Sequence, residues 1–239
     1  MEIKKIATGS SGNCYLLTAQ DGSQLIIECG IPWKQLAQAM RWNFARVVGV
    51  LISHEHSDHA RCVKQILEHI IPVYCSEGTA TALGIQDDTI HWHRLDPMKP
   101  TFLGNEWVVR GLPAEHDAAE PMMFLILRDN ELTLFATDTT YIPYKFKDLT
   151  HIMVEANYSM EGINDSVAGG AVCRPLKQRV MESHMEIDTL AQWLTMEKEE
   201  GYLDDLKDIH LIHISRKNGD ENAFVKRIEE ISGVPVYIG

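Results

Sequence analysis

A continuous apolar stretch, residues 47–53, runs without a break into His54-Glu55-His56-Ser57-Asp58-His59. No other feature of the chain restricts its folding as tightly. The apolar run reads as a buried strand, and a helical pattern takes over near Asp58 or His59 and continues to His69. His54, His56, Asp58 and His59 thus crowd a strand-to-helix turn, where open α/β sheets place their ligands. Histidine combined with carboxylate suits Zn²⁺, Mn²⁺ or Fe²⁺, whereas Ca²⁺ calls for all-oxygen ligands. A solvated polar turn holding three histidines by chance is the bland alternative, and so dense a cluster argues against it.

The same alternation of short apolar runs with amphipathic patterns continues along the chain and predicts an α/β fold. Strands are expected at 13–18 and 24–29, joined across Asp21-Gly22-Ser23 as a hairpin, and a helix at 33–41. Further strands are expected at 72–75, 106–111, 122–128, 132–137 and 150–155. A long helix at 187–199 precedes strand 208–213, helix 220–231 closed by Gly233, and strand 234–238. No Pro/Gly/Ser-rich linker, repeat or low-complexity stretch interrupts this pattern, so residues 1–239 are expected to form one domain.

Composition excludes several classes. With 45% hydrophobic and 23% charged residues the chain is too apolar for disorder and too charged for a membrane protein. No apolar run approaches the roughly 18–20 residues that span a bilayer, and Met1-Glu2-Ile3-Lys4-Lys5 leads into strand-like sequence, not a signal core. A cytoplasmic location is expected. Cys14, Cys29, Cys62, Cys75 and Cys173 never form a C-x-x-C pair, so each is read as a small, buried, reduced thiol. The formal charge of −12 argues against a broad basic face for duplex nucleic acid. A local phosphate site stays open, because metal ions can supply positive charge.

Three more ligand candidates share the context of an acid or histidine just past an apolar strand: His116, Asp138 and His213. Singly each is weak, since a lone histidine is usually a hydrogen-bonded packing residue and Asp138 would serve as a helix cap. Their order after H-x-H-x-D-H makes them persuasive. His91 and His93, flanking Trp92, have no comparable partner and are read as surface or packing residues, as are His69, His151 and His210.

These motifs resemble a metallo-β-lactamase-fold hydrolase along residues 3–238. The resemblance implies an αββα sandwich of two mixed β-sheets flanked by helices. It implies that His54, His56 and His116 hold one divalent ion, that Asp58, His59 and His213 hold a second, and that Asp138 bridges them. The ions would be Zn²⁺ or Mn²⁺, with Fe²⁺ also compatible. Thr8-Gly9-Ser10-Ser11-Gly12-Asn13-Cys14, His116-Asp117-Ala118-Ala119-Glu120-Pro121, Glu155-Ala156-Asn157 and Ile212-His213-Ile214-Ser215 are similar to the YycJ/WalJ-type branch. That branch implies a phosphodiesterase, 5′-exonuclease-like on DNA more than RNA, in which a metal-bridging hydroxide attacks phosphorus. Asp58 would orient the nucleophile, and His184 would protonate the departing oxygen. Ser11, Asn13, Asn157, Arg216 and Lys217 are the candidate substrate-binding residues.

The chain departs from that pattern in three places. Glu28-Cys29-Gly30 stands where Asp-Ala-Gly is usual, Tyr158 where a histidine is usual, and Ser183-His184-Met185-Glu186 replaces a Gly-His-Leu-Ser-Asn element. Arg174, Lys177 and Arg179 precede His184, and Arg216 and Lys217 follow His213. Each alone reads as solvated surface, but two such groups beside site histidines favour a phosphorylated substrate. The rival readings are a thioester hydrolase of the glyoxalase II kind and a metal-free scaffold on the same fold.

Overall fold

The computed structural model describes residues 1–85, 90–104 and 106–239. The chain divides into two compact units, Met1–Pro113 with Ala118–Asn130, and Ala114–Asp117 with Glu131–Gly239.

The first unit opens with β1 (Glu2–Ala7), β2 (Cys14–Thr18) and β3 (Gln24–Ile27), followed by α1 (Trp33–Ala39) and β4 (Val47–Leu51). Next come α2 (Ser57–Ala60), α3 (Val63–Glu68), β5 (Val73–Cys75), α4 (Glu77–Leu83) and β6 (Trp92–Arg94). It ends with β7 (Pro100–Leu103), β8 (Trp107–Pro113) and β9 (Met122–Arg128). β1 to β6 lie side by side in chain order. β1, β2 and β3 are antiparallel, and the expected hairpin closes with Tyr15 opposite Ile27. From β3 to β6 the strands are parallel, while β7, β8 and β9 form an antiparallel meander. Alternate residues Leu16, Ile26, Val50, Ile52 and Val73 bury one face against Leu36 of α1 and Val63 and Ile66 of α3.

The second unit is built on β10 (Glu131–Ala136), β11 (His151–Glu155), α5 (Met160–Ala168), α6 (Arg174–Ser183) and α7 (Ile187–Glu199). It closes with β12 (Asp208–Ile212), α8 (Glu221–Ser232) and β13 (Val236–Ile238). β10 to β13 are parallel neighbours in that order. Their near-continuous apolar sequences match strands covered on both faces, and Leu190, Leu194, Phe224 and Ile228 are buried on α7 and α8.

Several local expectations are corrected. The helix expected from Asp58 to His69 is two helices that break at Cys62, whose φ is −108°. A continuous helix would bond Cys62 N–H to the Asp58 carbonyl. Instead Cys62 N–H donates to Cys29 O at 3.0 Å, and Asp58 O accepts from Asn13 N–H at 2.8 Å. Helix α1 stops before residue 41 because Arg41 and Trp42 take positive φ. The segments α4, α5 and α6 were not anticipated; α4 and α5 start at Ser76 and Ser159, whose hydroxyls accept from Thr79 and Gly162 N–H. Cys173 is exposed, unlike the other four thiols.

Candidate functional site

Parallel pairing brings chemistry-bearing residues to one edge in each unit. In the first, β3 and β4 run side by side with Ile27 opposite Leu51, so Glu28 and the segment 52–59 leave the same carboxyl edge. In the second, Ala136 opposes Val154 and Glu155 opposes Ile212. Asp138, Glu155 and His213 therefore emerge together. Glu28, Asp138 and His213 all have positive φ, at 63°, 47° and 53°. Such strained backbone at strand ends turns each side chain sharply out of its strand and is characteristic of functional sites.

In the first unit His54 Nε2 lies 3.1 Å from His56 Nδ1, and the His54 and His59 ring centroids are 4.2 Å apart. Two nitrogens bound to one tetrahedral zinc at 2.0–2.1 Å stand about 3.3 Å apart, so the His54–His56 pair suits a shared divalent ion. Ser53 Oγ, 2.9 Å from His54 Nδ1, holds the opposite side of that ring. Asp58 Oδ2 is 3.5 Å from His59 Nε2. Fully buried Glu28 reaches His59 Nδ1 at 3.6 Å and accepts from Ser53 N–H. The glutamate at this departure from the family pattern thus braces the H-x-H-x-D-H turn directly.

Glycine is needed beneath that turn. A Cβ on Gly30 would run into the Asp58 carbonyl, and one on Gly12 (φ +145°) into the Gly30 carbonyl. Asn13 is buried and links the two segments: its Nδ2 donates to Asp58 O at 3.2 Å and lies 3.2 Å from His59 Nε2, while its Oδ1 accepts from Gly9 N–H. Ser11 is exposed.

In the second unit Asp138, Glu155, His184 and His213 present ligand atoms all within 4.8 Å of one another. Glu155 Oε1 accepts from Nδ1 of His184 at 2.7 Å and faces Nδ1 of His213 at 3.0 Å. His116 Nδ1 donates to Ser183 O at 2.8 Å, and its Nε2 lies 3.5 Å from Asp138 Oδ2. These partners set the proton on Nδ1 of His116 and His213 and leave Nε2 of those two rings as the ligating nitrogen, the arrangement that metal-binding histidines adopt. Burial pushes the His116 imidazole down, toward the neutral, ligating form. Burial alone would raise the Glu155 carboxyl and lower the His184 imidazole, but their mutual attraction prevails, lowering Glu155 and raising His184. Two nearby backbone pairings, Asn157 N–H to Met185 O at 2.9 Å and Ile187 N–H to Tyr158 O at 2.9 Å, fix the chain on either side of His184.

Asn157 is also buried and uses its Nδ2 on Glu155 Oε1 and His213 O. Arg216 and Lys217 are exposed. Arg179 is committed to Asp117 through two nitrogens at 3.2 Å, so it braces the His116 loop instead of standing ready for phosphate. Residue-by-residue reading of the sequence assigned no role to Glu155 or Ser183. A glutamate ending an apolar strand, Ile152-Met153-Val154-Glu155, was the available signal for the first; Ser183 acts through its backbone and left none. His151 and His210 form a separate pair on Asp208, at 2.9 and 3.3 Å, at the opposite end of the strands.

The model of the beta-lactamase superfamily domain matches residues 24–200. The chain is 27% identical over 226 residues to an exodeoxyribonuclease YycJ of Bacillus anthracis, covering 89% of this chain and 82% of that protein. It is 23% identical over 250 residues to an exodeoxyribonuclease WalJ of Streptococcus pneumoniae serotype 2, covering 98% of this chain and 89% of the other. Among solved structures, the metallo-beta-lactamase fold protein YhfI from Bacillus subtilis superimposes with a TM-score of 0.72 at 16% identity, covering 99% of this chain and 95% of that one. The fold shared with it has two mixed β-sheets flanked by helices, as expected from the sequence motifs.

Proposed function

Because the chain belongs to the beta-lactamase superfamily and is a metal-dependent hydrolase, we propose that it is a binuclear phosphodiesterase that degrades DNA from the 5′ end. The observation that carries this reading is the alignment of exodeoxyribonuclease relatives along most of the chain, joined to ligand candidates of which His54, His116 and His213 are each held by a second partner. His54, His56 and His116 would hold one divalent ion and Asp58, His59 and His213 the other, with Asp138 shared. That the two sets serve one centre rests on the family pattern, as does the reading of residues 1–239 as one functional domain. Zn²⁺ and Mn²⁺ both suit this donor set, and Fe²⁺ is compatible. The cytoplasm is the compartment that goes with these readings.

Bound ions supply Lewis acidity and a nucleophile available near neutral pH. The chain's own residues do the rest. Asp58 aligns the attacking oxygen through its carboxylate. His184, seated on Glu155 through Nδ1, presents Nε2 as the donor that protonates the leaving oxygen. Exposed Ser11, Arg216 and Lys217 would take phosphate oxygens of the substrate. Buried Asn13 and Asn157 would act by positioning His59 and His213, since their amides are engaged within the fold.

Cleavage of end-labelled single- and double-stranded DNA with Mn²⁺, with Zn²⁺ and with EDTA tests this reading, with Asp58→Ala as control. Metal-dependent release of nucleotides from the 5′ end, absent in the variant, is the expected result. No cleavage by metal-loaded protein would overturn the DNA assignment, and rapid hydrolysis of a glutathione thioester would favour the glyoxalase II kind of chemistry. Protein purified without chelator and holding no metal would favour the scaffold reading.

A further inference from the structure

We propose that the groove between α5 and α6 binds a single-stranded segment of the nucleic-acid substrate, a few nucleotides away from the phosphate being cleaved. The proposal rests on the phosphodiesterase reading and adds to it the place where the rest of the strand lies.

Helix α6 spans Arg174–Ser183. Arg174, Lys177, Gln178, Met181 and Glu182 follow at i, i+3, i+4, i+7 and i+8, so they share one face of that helix. With Val167 of α5 they line a cavity of about 500 Å³, the size of a small-ligand pocket and too small for a duplex. Its walls combine the apolar Val167 and Met181 with two cations, which is the chemistry of a base face beside a phosphate. A methionine sulfur packs favourably against aromatic rings.

The cations of the groove are uncompensated. Lys177 Nζ donates to the neutral Asn164 Oδ1 at 2.5 Å, and Lys217, behind the α5–α6 turn, donates to the Ala171 carbonyl at 3.3 Å. Among the described residues, neither these two nor Arg174 makes an ion pair with a carboxylate. Other exposed lysines and arginines among the described residues also stand without an acid partner; what distinguishes Arg174 and Lys177 is that they share one helix face with the apolar wall of a cavity. In a chain of net charge −12, two unpaired cations on one wall of the groove favour a polyanion. Glu182, which accepts from Gln178 Nε2 at 2.8 Å, is the acidic end of the groove.

Position ties the groove to the reaction. Helix α6 runs straight into Ser183, whose carbonyl orients His116, and into His184, held by Glu155. Met181 therefore lies within a turn of His184, and Arg174 lies about 15 Å away along the helix. At about 3.4 Å per stacked nucleotide that distance accommodates roughly four phosphates.

The test is fluorescence anisotropy of a 5′-fluorescein-labelled oligo(dT) of twelve nucleotides, in EDTA so that no cleavage intervenes. Charge reversal by Arg174→Glu with Lys177→Glu is expected to weaken binding at least tenfold and to reduce the dependence of log K on log salt by about 1.4, the loss of two single-strand phosphate contacts. Met181→Ala is expected to weaken binding about threefold without changing that dependence, and Lys226→Glu on α8 to leave binding unchanged. Undetectable binding by the wild type, equal affinity of the charge-reversed variant, or an equal loss with Lys226→Glu would overturn the proposal. A Mn²⁺ assay on bis(p-nitrophenyl) phosphate separates the two readings. The charge reversal should cost at least five times more in kcat/KM on the oligonucleotide than on the small ester; equal losses would make the groove structural. A wild type that binds the oligonucleotide in the groove but hydrolyses neither substrate would sink the phosphodiesterase reading alone.

Discussion

Glu155 Oε1 stands 2.7 Å from His184 Nδ1, and the same oxygen faces His213 Nδ1 at 3.0 Å. One buried carboxylate thus sets the tautomer and direction of two imidazoles whose other nitrogens are left for chemistry. Glu155→Gln places an amide there that cannot satisfy both rings as an ionised acceptor. Metal affinity is expected to fall about 10–100-fold, read by chelator competition, with the far-UV spectrum retained. Unchanged affinity would remove the positioning role of Glu155.

Asp58 and His59 are adjacent but have different structural roles. The Asp58 side chain is 25% exposed, whereas that of His59 is fully buried against Glu28. Asp58→Ala is expected to abolish turnover while changing unfolding stability by less than about 1 kcal/mol. His59→Ala also abolishes turnover but leaves the buried Glu28 carboxyl without its imidazole, a loss of roughly 1–3 kcal/mol. Urea unfolding of both variants separates these effects, and equal stabilities would refute the bracing role of Glu28.

Gly30 admits no side chain because the Asp58 carbonyl occupies the place of its Cβ. Gly30→Ala must displace the metal-ligand turn or the strand beneath it. Overpacking of this kind costs about 1–3 kcal/mol or more. A lowered Tm together with weakened metal binding is expected, and an alanine variant with wild-type metal content would show that the turn yields freely.

Acid stability depends on the second unit's Glu131, which pairs with Lys207 and lies 3.4 Å from His151 Nε2. Burial alone would raise the Glu131 carboxyl, but the Lys207 ammonium first, together with other nearby positive groups, overcomes it and holds the group at about 2 instead of 4.5. Asp208, bonded to His151 and His210, is likewise lowered against the effect of burial. Because the folded values lie below the unfolded ones, their stabilisation is present above about pH 4.5 and is lost as pH falls toward 2. Glu131→Gln is expected to flatten that loss, measured as unfolding free energy against pH, by less than the full shift would imply because solvent screens the pair. An identical acid profile in the variant would exclude Glu131 as a contributor.

The amino-acid sequence by itself determined the strand ends and what they carry. Apolar runs ending in His54, Asp138 and His213 are legible because a buried strand and the polar residue that leaves it are neighbours in the chain. The same holds for the hairpin at residues 21–23 and for Gly233, which closes α8. What only the tertiary structure decided are the partners. Cys62 N–H abandons its own helix for Cys29, Asn13 takes the Asp58 carbonyl in its place, and the expected long helix breaks at that point. Ser183 reaches His116 through a backbone carbonyl, across 67 positions of sequence, and Arg179 is committed to Asp117. Side-chain pattern records burial, which is a local property of each residue. Hydrogen bonds made by backbone groups are common to all residue types, so their non-local partners leave no mark in the sequence until the chain has folded.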